Sequence, residues 1–378
     1  MSSGPLASQR GSPLDIVQSE LGCNWKNIED ARQKTEITLK SLSTIIGGHP
    51  GADTSVGPDT SVVVHGSLAR LECTQGSDLD WTLLVDGIAD ASVQQRFLDI
   101  KNSLSDTNFD ELGLKKPGTE GTFGALAFSQ PIMHFIGGEE DSNSNTTRRV
   151  LLLLEAVPIG ERHGAFERVR NGILQRYLDE DRGLLREGHI AKNKRWVPLF
   201  LLNDFARYWR TMAVDFAYKQ FDRGNKGYAL RSIKLGTSRK LLFASGLLAC
   251  FWCDPAISRN EKQTPNKQSL IDSLGKFLSR TPLERLALFF LVHMKTSESE
   301  SLRTTATSLF GAYDAFLGLL NNQDKRLHLE QLKPADEEND PAFVDARKIR
   351  RTFRLAVQEM FLGEDSPLRQ HSIEKGVF

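Results

Sequence analysis

The chain has few cysteines, no net charge and no long apolar run. Four cysteines in 378 residues are too few for a disulfide framework. Cys250 and Cys253 form the only CxxC; no second Cys or His pair stands near to complete a zinc site, and on an apolar helical stretch they read as core packing. Basic and acidic residues balance at 48 each, so any phosphate or nucleic-acid contact has to come from a local patch. The longest mainly apolar run, "LLFASGLLACFWC" at 241–253, falls short of the roughly 20 residues a membrane span needs. The opening "MSSGPLASQRGSP" lacks the apolar core of a secretory signal. Together these gaps exclude disulfide-stapled and membrane-spanning classes and lead us to expect a cytoplasmic protein. What is present, 39% hydrophobic and 25% charged residues, is the composition of a globular chain long enough for two domains.

Texture changes near residue 163. Before it, "TSVVVHGS" and "DWTLLVDG" are short β-branched or apolar runs bounded by Gly, Asp and Ser, as buried strands are, and they predict a strand pair. Val93, Phe97, Ile100 and Leu104 then fall at helical spacing. "GTFGALAFS" at 121–129 predicts a third strand. A polar loop precedes "VLLLLEAVPIG", whose periodicity leaves helix and strand both open. From about 164 helical periodicity takes over in "AFERVRNGILQRYLDED", "VPLFLLNDFARYWRTMAVDFAYKQF" and the segments that follow. The expected class is α+β: a flexible leader (1–20), a small mixed-sheet catalytic domain (21–162), an α-helical domain (163–332), and a charged linker with a C-terminal helix (333–378).

The stretch "HGSLARLECTQGSDLDWTLLVD" at 65–86 carries the chemistry. Side chains alternate along a strand, so Asp78 and Asp80 point one way and Leu79 the other. Two carboxylates facing together repel unless a cation lies between them, and oxygen donors of this kind suit Mg²⁺ or Mn²⁺. The Gly66-Ser67 turn offers a phosphate a backbone that can approach closely, N–H groups and a hydroxyl. The combination predicts a nucleoside triphosphate held by its phosphates beside metal ions on Asp78 and Asp80.

Gly66, Ser67, Arg70, Glu72, Ser77, Asp78 and Asp80 form a GSxxRxE…SDxD pattern. It resembles the signature of the polymerase-β-type nucleotidyltransferase superfamily, and within it the uridylyltransferase-like putative nucleotidyltransferases. The match covers about 25 residues directly. The resemblance implies a nucleotidyltransferase domain capped by helices, nucleotide binding through Gly66, Ser67, Arg70 and Ser77, and a third catalytic acid from a later strand. Glu155 in "LLLLEAVPI" is the candidate for that acid if its run is a strand, with Asp110, Glu120 and Asp141 as alternatives. Arg148 and Arg149 read as surface charge, phosphate contact being the other reading. In "RSIKLGTSRK", Arg231, Lys234 and Ser238 share a helical stripe; by the resemblance Lys234 and Ser238 grip the β- and γ-phosphates, a solvated basic face being the alternative. His65 and His134 read as structural histidines.

The expected activity is transfer of a nucleoside monophosphate to an acceptor hydroxyl with release of pyrophosphate. A protein side chain, a small molecule or a second nucleotide remains open as acceptor; the balanced charge makes long RNA the less expected one. From another class, a catalytically inactive nucleotide-binding scaffold remains the alternative.

Overall fold

The computed structural model describes residues 11–47, 59–116, 123–160, 164–180, 197–222, 226–260, 267–295, 300–333 and 335–376. Contacts divide the chain into a sheet-bearing unit, 30–179, and a helical unit made of residues up to 29 and from 180 onward. Both boundaries fall within helices, the first in Lys26–Gly47 and the second at the last residue of Gly164–Glu180. The architecture is a mixture of helices with one small four-stranded mixed sheet.

In the sheet-bearing unit the strands are β1 (Thr60–His65), β2 (Ser77–Asp78), β3 (Trp81–Val85), β4 (Leu114–Lys115), β5 (Ala125–Phe128) and β6 (Ala156–Ile159). The main sheet runs β5-β3-β1-β6, with β1 antiparallel to β3 and β6, and β3 parallel to β5. β2 and β4 make a separate short parallel pair. The expected strand pair is thus β1–β3. Both are buried at every residue, which is why "SVVV" and "TLLV" read as unbroken apolar runs instead of alternating. Pro158, which has no N–H to give a ladder, is accommodated because β6 lies at the sheet edge.

The helix expected around 89–104 runs over Ala91–Ser105, opened by Asp90, whose carboxylate accepts from the N–H groups of Ser92 and Val93. Its Phe97 ring stacks on Trp81 of β3 at 5.7 Å. The ambiguous run before Glu155 is helical: Asn143–Leu154 is capped by the Ser142 hydroxyl, which accepts from Asn145 N–H. The Ser142 cap and the four-leucine stretch that follows make this a buried helix. The strand proper starts only at Ala156.

The helical unit holds Leu199–Asp222, Tyr228–Lys234, Lys240–Phe251, Lys267–Leu278, Pro282–Met294, Glu300–Asn321, Gln323–Gln331 and Pro341–Leu362. Its core is aromatic, with Phe289, Phe290, Phe310, Tyr313, Phe316 and Phe353 at or below 1% exposure. Residues 13–20, expected within the leader, form the helix Pro13–Glu20 and bury Leu14 and Val17. Leu14 N–H donates to Glu284 Oε2 at 3.1 Å. Asp314 accepts from Ile28 N–H at 3.0 Å and from Asn27 Nδ2 at 2.8 Å, so a carboxylate nearly three hundred residues away caps the helix Lys26–Gly47. Cys250 and Cys253 are buried free thiols; burial, with Asp254 adding to it, pushes the Cys253 thiol up, which keeps it protonated. The core reading of the CxxC therefore stands. Among the described residues no helix is long and apolar enough to cross a membrane.

Candidate functional site

The site begins where β1 ends. His65 closes the strand, and its N–H donates to the Asp80 carbonyl at 2.8 Å, continuing the β1–β3 pairing by one residue. Gly66 then turns the chain with φ of +68°, a conformation favouring residues without a β-carbon. A second constraint acts on the same atom: a β-carbon at Gly66 would stand 2.9 Å from Asp80 Oδ2. The Gly-Ser turn and the Asp80 carboxylate are therefore in van der Waals proximity, and glycine is what lets them be. Residues Gly66–Ala69 form a single helical turn after it.

Along 77–80 burial alternates: Ser77 buried, Asp78 exposed, Leu79 buried, Asp80 half-buried. Leu79, 2% exposed, anchors the segment in the core. The aspartates on either side lie on the outward-facing half of this alternation, as expected for residues two apart in extended chain. Ser77, expected to touch nucleotide, does something else: its hydroxyl accepts from Thr74 N–H at 3.0 Å and its own N–H donates to the Thr74 carbonyl at 3.1 Å. It closes the turn that aims Asp78.

Arg70 also differs from expectation. It is 7% exposed; its Nε donates to Glu72 Oε2 at 2.8 Å and its terminal nitrogen to Glu155 Oε2. Between Arg70 and Glu72 the chain passes through Leu71 in the left-handed region, φ +59°, a conformation a leucine adopts at a cost. That kink brings the two flanking side chains together. One guanidinium thus neutralises two buried carboxylates and ties the end of the helix Asn143–Leu154 to the Gly-Ser turn. Glu155 is not a strand-borne acid: it caps that helix and its carboxylate is taken up by Arg70.

Other acids fare similarly. Asp141 is buried against Arg149, which donates to both its oxygens at 3.1 and 2.9 Å and to the Tyr177 hydroxyl at 2.6 Å. Arg149, read as surface charge, is completely buried and structural. Asp110 is exposed, and Glu120 lies outside the described residues. Neither β5 (Ala-Leu-Ala-Phe) nor β6 (Ala-Val-Pro-Ile) carries an acid. His65 is a buried structural histidine: its Nε2 meets Thr82 Oγ1 at 3.1 Å, and burial, partly opposed by Glu155, pushes its pKa down to about 4, so it is neutral near pH 7. His134 is exposed.

Among the described residues no group of three Asp, Glu, His or Cys is gathered to cage a metal ion. Two carboxylates two residues apart, one of them against the Gly66 turn, nonetheless fit one mode of binding. Mg²⁺ keeps several waters and is commonly held by one or two carboxylates together with the phosphates of its substrate. Asp78 and Asp80 fit a metal that arrives with a nucleotide.

In the helical unit, Lys234 ends the helix Tyr228–Lys234 and Ser238 sits in a π-helical turn, Leu235–Arg239. There Thr237 Oγ1 donates to the Ile233 carbonyl at 2.7 Å and Ser238 Oγ to the Lys234 carbonyl at 3.2 Å. Hydroxyl groups bonding back four residues help satisfy carbonyls that the wider turn leaves less well paired. Ser238 is 5% exposed, so its hydroxyl is inward and occupied. Arg231, the first member of the stripe, folds back onto the carbonyls of Lys226 and Gly227 at 2.9 and 3.3 Å. In the helix Leu199–Asp222, Asp204 pairs with Arg207 at 3.8 Å.

Against known proteins the chain matches no family model, no curated protein and no solved structure.

Proposed function

We propose that the chain is a metal-dependent nucleotidyltransferase, moving a nucleoside monophosphate from a nucleoside triphosphate to an acceptor hydroxyl with pyrophosphate leaving. The observation that supports this reading is the contact between turn and acid: Gly66 backs onto Asp80 Oδ2 with no room for a β-carbon. A solvated loop has no need of such an approach. A phosphate-binding turn beside a metal-binding carboxylate does.

In this reading the Gly66-Ser67 backbone approaches the triphosphate, and Asp78 and Asp80 hold Mg²⁺ or Mn²⁺ carried in with it. When bound, the metal supplies charge neutralisation at the phosphates and at the developing pyrophosphate. Arg70, Glu72 and Glu155 act as positioning residues, because their buried ion triad fixes the turn relative to the sheet. A protein, small molecule or nucleotide is the proposed acceptor.

The test is incubation with each α-³²P-labelled nucleoside triphosphate and Mg²⁺ or Mn²⁺, with and without cell lysate. Wild type should move label into protein, RNA or a new small nucleotide, and Asp78→Ala/Asp80→Ala should not. Nucleotide binding with no transfer under any condition would replace this reading by the inactive scaffold.

A further inference from the structure

One cavity in the helical unit is absorbed by none of the foregoing. It measures about 720 Å³, and its lining combines the aromatic residues Trp209, Phe216 and Tyr228 with basic ones. The helix Pro341–Leu362 contributes Arg347, Lys348, Arg350, Arg351 and Arg354 within eight residues, and Lys240 faces them from the helix Lys240–Phe251. Six cations converge on one concavity in a chain whose net charge is zero. That asymmetry is what a local anion site requires.

Three details indicate that the cavity is built and is more than a solvated basic face. First, neutralisation is sparse. Lys348 pairs with Asp345 at 3.1 Å and Arg347 acts on Glu337, but among the described residues no carboxylate lies within ion-pair distance of Arg350, Arg351, Arg354 or Lys240. Second, like charges are held close: burial, and then the positive charge of Arg354, lower the pKa of the half-buried Lys240 ammonium, whose Nζ sits 4.8 Å over the Trp209 ring. An anion relieves that repulsion. Third, the backbone makes room. A β-carbon at Gly236 would meet Arg350 Cγ and Cδ at 2.5 and 2.4 Å, so glycine in the π-helical turn admits the arginine, which then donates to Ser232 Oγ at 2.5 Å.

The cavity is separate from the stripe assigned to the triphosphate. Ser232, Gly236 and Lys240 recur every four residues and line it. Lys234 and Ser238 lie two residues out of step, roughly 200° round the helix, and neither lines it.

We propose that this cavity is a second nucleotide site, binding a nucleoside polyphosphate without metal, with the phosphates on Arg350, Arg351, Arg354 and Lys240 and the base against the Trp209, Phe216 and Tyr228 wall. Its volume is that of a small-ligand pocket. Guanidinium groups match phosphate oxygens in fixed fork geometry, and an aromatic wall provides what bases stack on. Inorganic polyphosphate uses only half of the lining.

The test is calorimetric titration of the full chain with ATP in EDTA at 0.15 M salt, beside inorganic tripolyphosphate and a single-stranded oligoribonucleotide of matched charge. ATP should bind without metal and more tightly than either. Arg351→Glu/Arg354→Glu, at exposed positions, should weaken it at least tenfold with an unchanged melting temperature, and Arg351→Gln/Arg354→Gln serves if charge reversal disturbs folding. Asp78→Ala/Asp80→Ala should bind ATP in EDTA within twofold of wild type, so failure of nucleotidyl transfer and failure of this site are read separately. The proposal is overturned if ATP does not bind in EDTA, if the arginine variants bind it as wild type does, or if tripolyphosphate or the oligonucleotide binds as tightly.

Discussion

Gly66 answers to two constraints at once, a positive φ and the Asp80 carboxylate against its α-carbon. Gly66→Ala therefore both strains the backbone, at about 1–2 kcal/mol, and pushes Asp80 away from the turn. The expected result is a modest fall in melting temperature and, on the proposed function, loss of most of the extra stabilisation expected from Mn²⁺ and nucleoside triphosphate together; thermal shift with and without both ligands measures each effect. Arg70 makes a sharper case. Replacing it by Met takes the guanidinium away from buried Glu72 and Glu155, and breaking a buried pair in this way costs about 3–5 kcal/mol. Urea unfolding of Arg70→Met should show a loss of that order. A loss under about 1 kcal/mol would mean that the triad is unimportant to the fold. At this scale the sequence was legible for Asp78, Leu79 and Asp80, because alternation in extended chain follows from backbone geometry alone. It was illegible for Arg70, Ser77, Glu155 and Arg149. A charged side chain looks the same in sequence whether it meets solvent, phosphate or a buried partner; only tertiary structure supplies Asp141 to Arg149 or Arg70 to Glu155.

Elements were legible where local signals agreed. Strands β1 and β3 declared themselves by apolar runs between turn residues, and the helix Ala91–Ser105 by period and by the Asp90 cap. The run 150–154 was not decidable by periodicity, since an element buried all round loses its period; the Ser142 cap upstream was the signal that favoured helix. No local signal marked the π-helical turn at 235–239, since "LGTSR" reads as ordinary helix with one glycine. Elsewhere a helix end depends on a distant residue. Asp314 accepts from Ile28 N–H and from Asn27, so Asp314→Ala should cost about 1 kcal/mol, through the helix Lys26–Gly47 and not through its own helix. Hydrogen exchange would place the loss: amides of 28–31 should lose protection first, with those of 305–312 little changed.

At the scale of the molecule, each unit buries one histidine held neutral. His65 lies in the sheet-bearing unit and His293 in the helical one, bonded to the Ile257 carbonyl at 2.9 Å. Burial comes first among the causes that push both pKa values down to about 4, from 6.5. Between those values the unfolded chain binds protons that the folded chain does not, so stability is full above pH 6.5 and falls as pH drops toward 4. Each histidine contributes up to about 3 kcal/mol to that loss. Urea midpoints at pH 7.0, 6.0 and 5.0 should fall progressively, and His65→Leu and His293→Leu should each flatten the slope whatever they do to the midpoint at pH 7. The change from short apolar runs to helical period was visible near residue 163, but contacts put the division at 179/180, so the first long helix of that half, Gly164–Glu180, goes with the sheet-bearing unit up to residue 179. The membership of residues 13–29 in the helical unit was not visible, because the partners that hold them, Glu284 and Asp314, lie some 270 residues or more along the chain.

Leu71 sets a direction for change at the candidate site. Its left-handed backbone is tolerated, not preferred, so random mutagenesis selected for heat resistance should find Gly or Asn at position 71, where either residue adopts φ near +59° at less cost. The same relief loosens the kink that keeps Arg70 and Glu72 together. A population selected for heat resistance alone should accumulate substitutions here, and one selected for the proposed nucleotidyl transfer should retain leucine, so the position separates the two pressures in a single experiment.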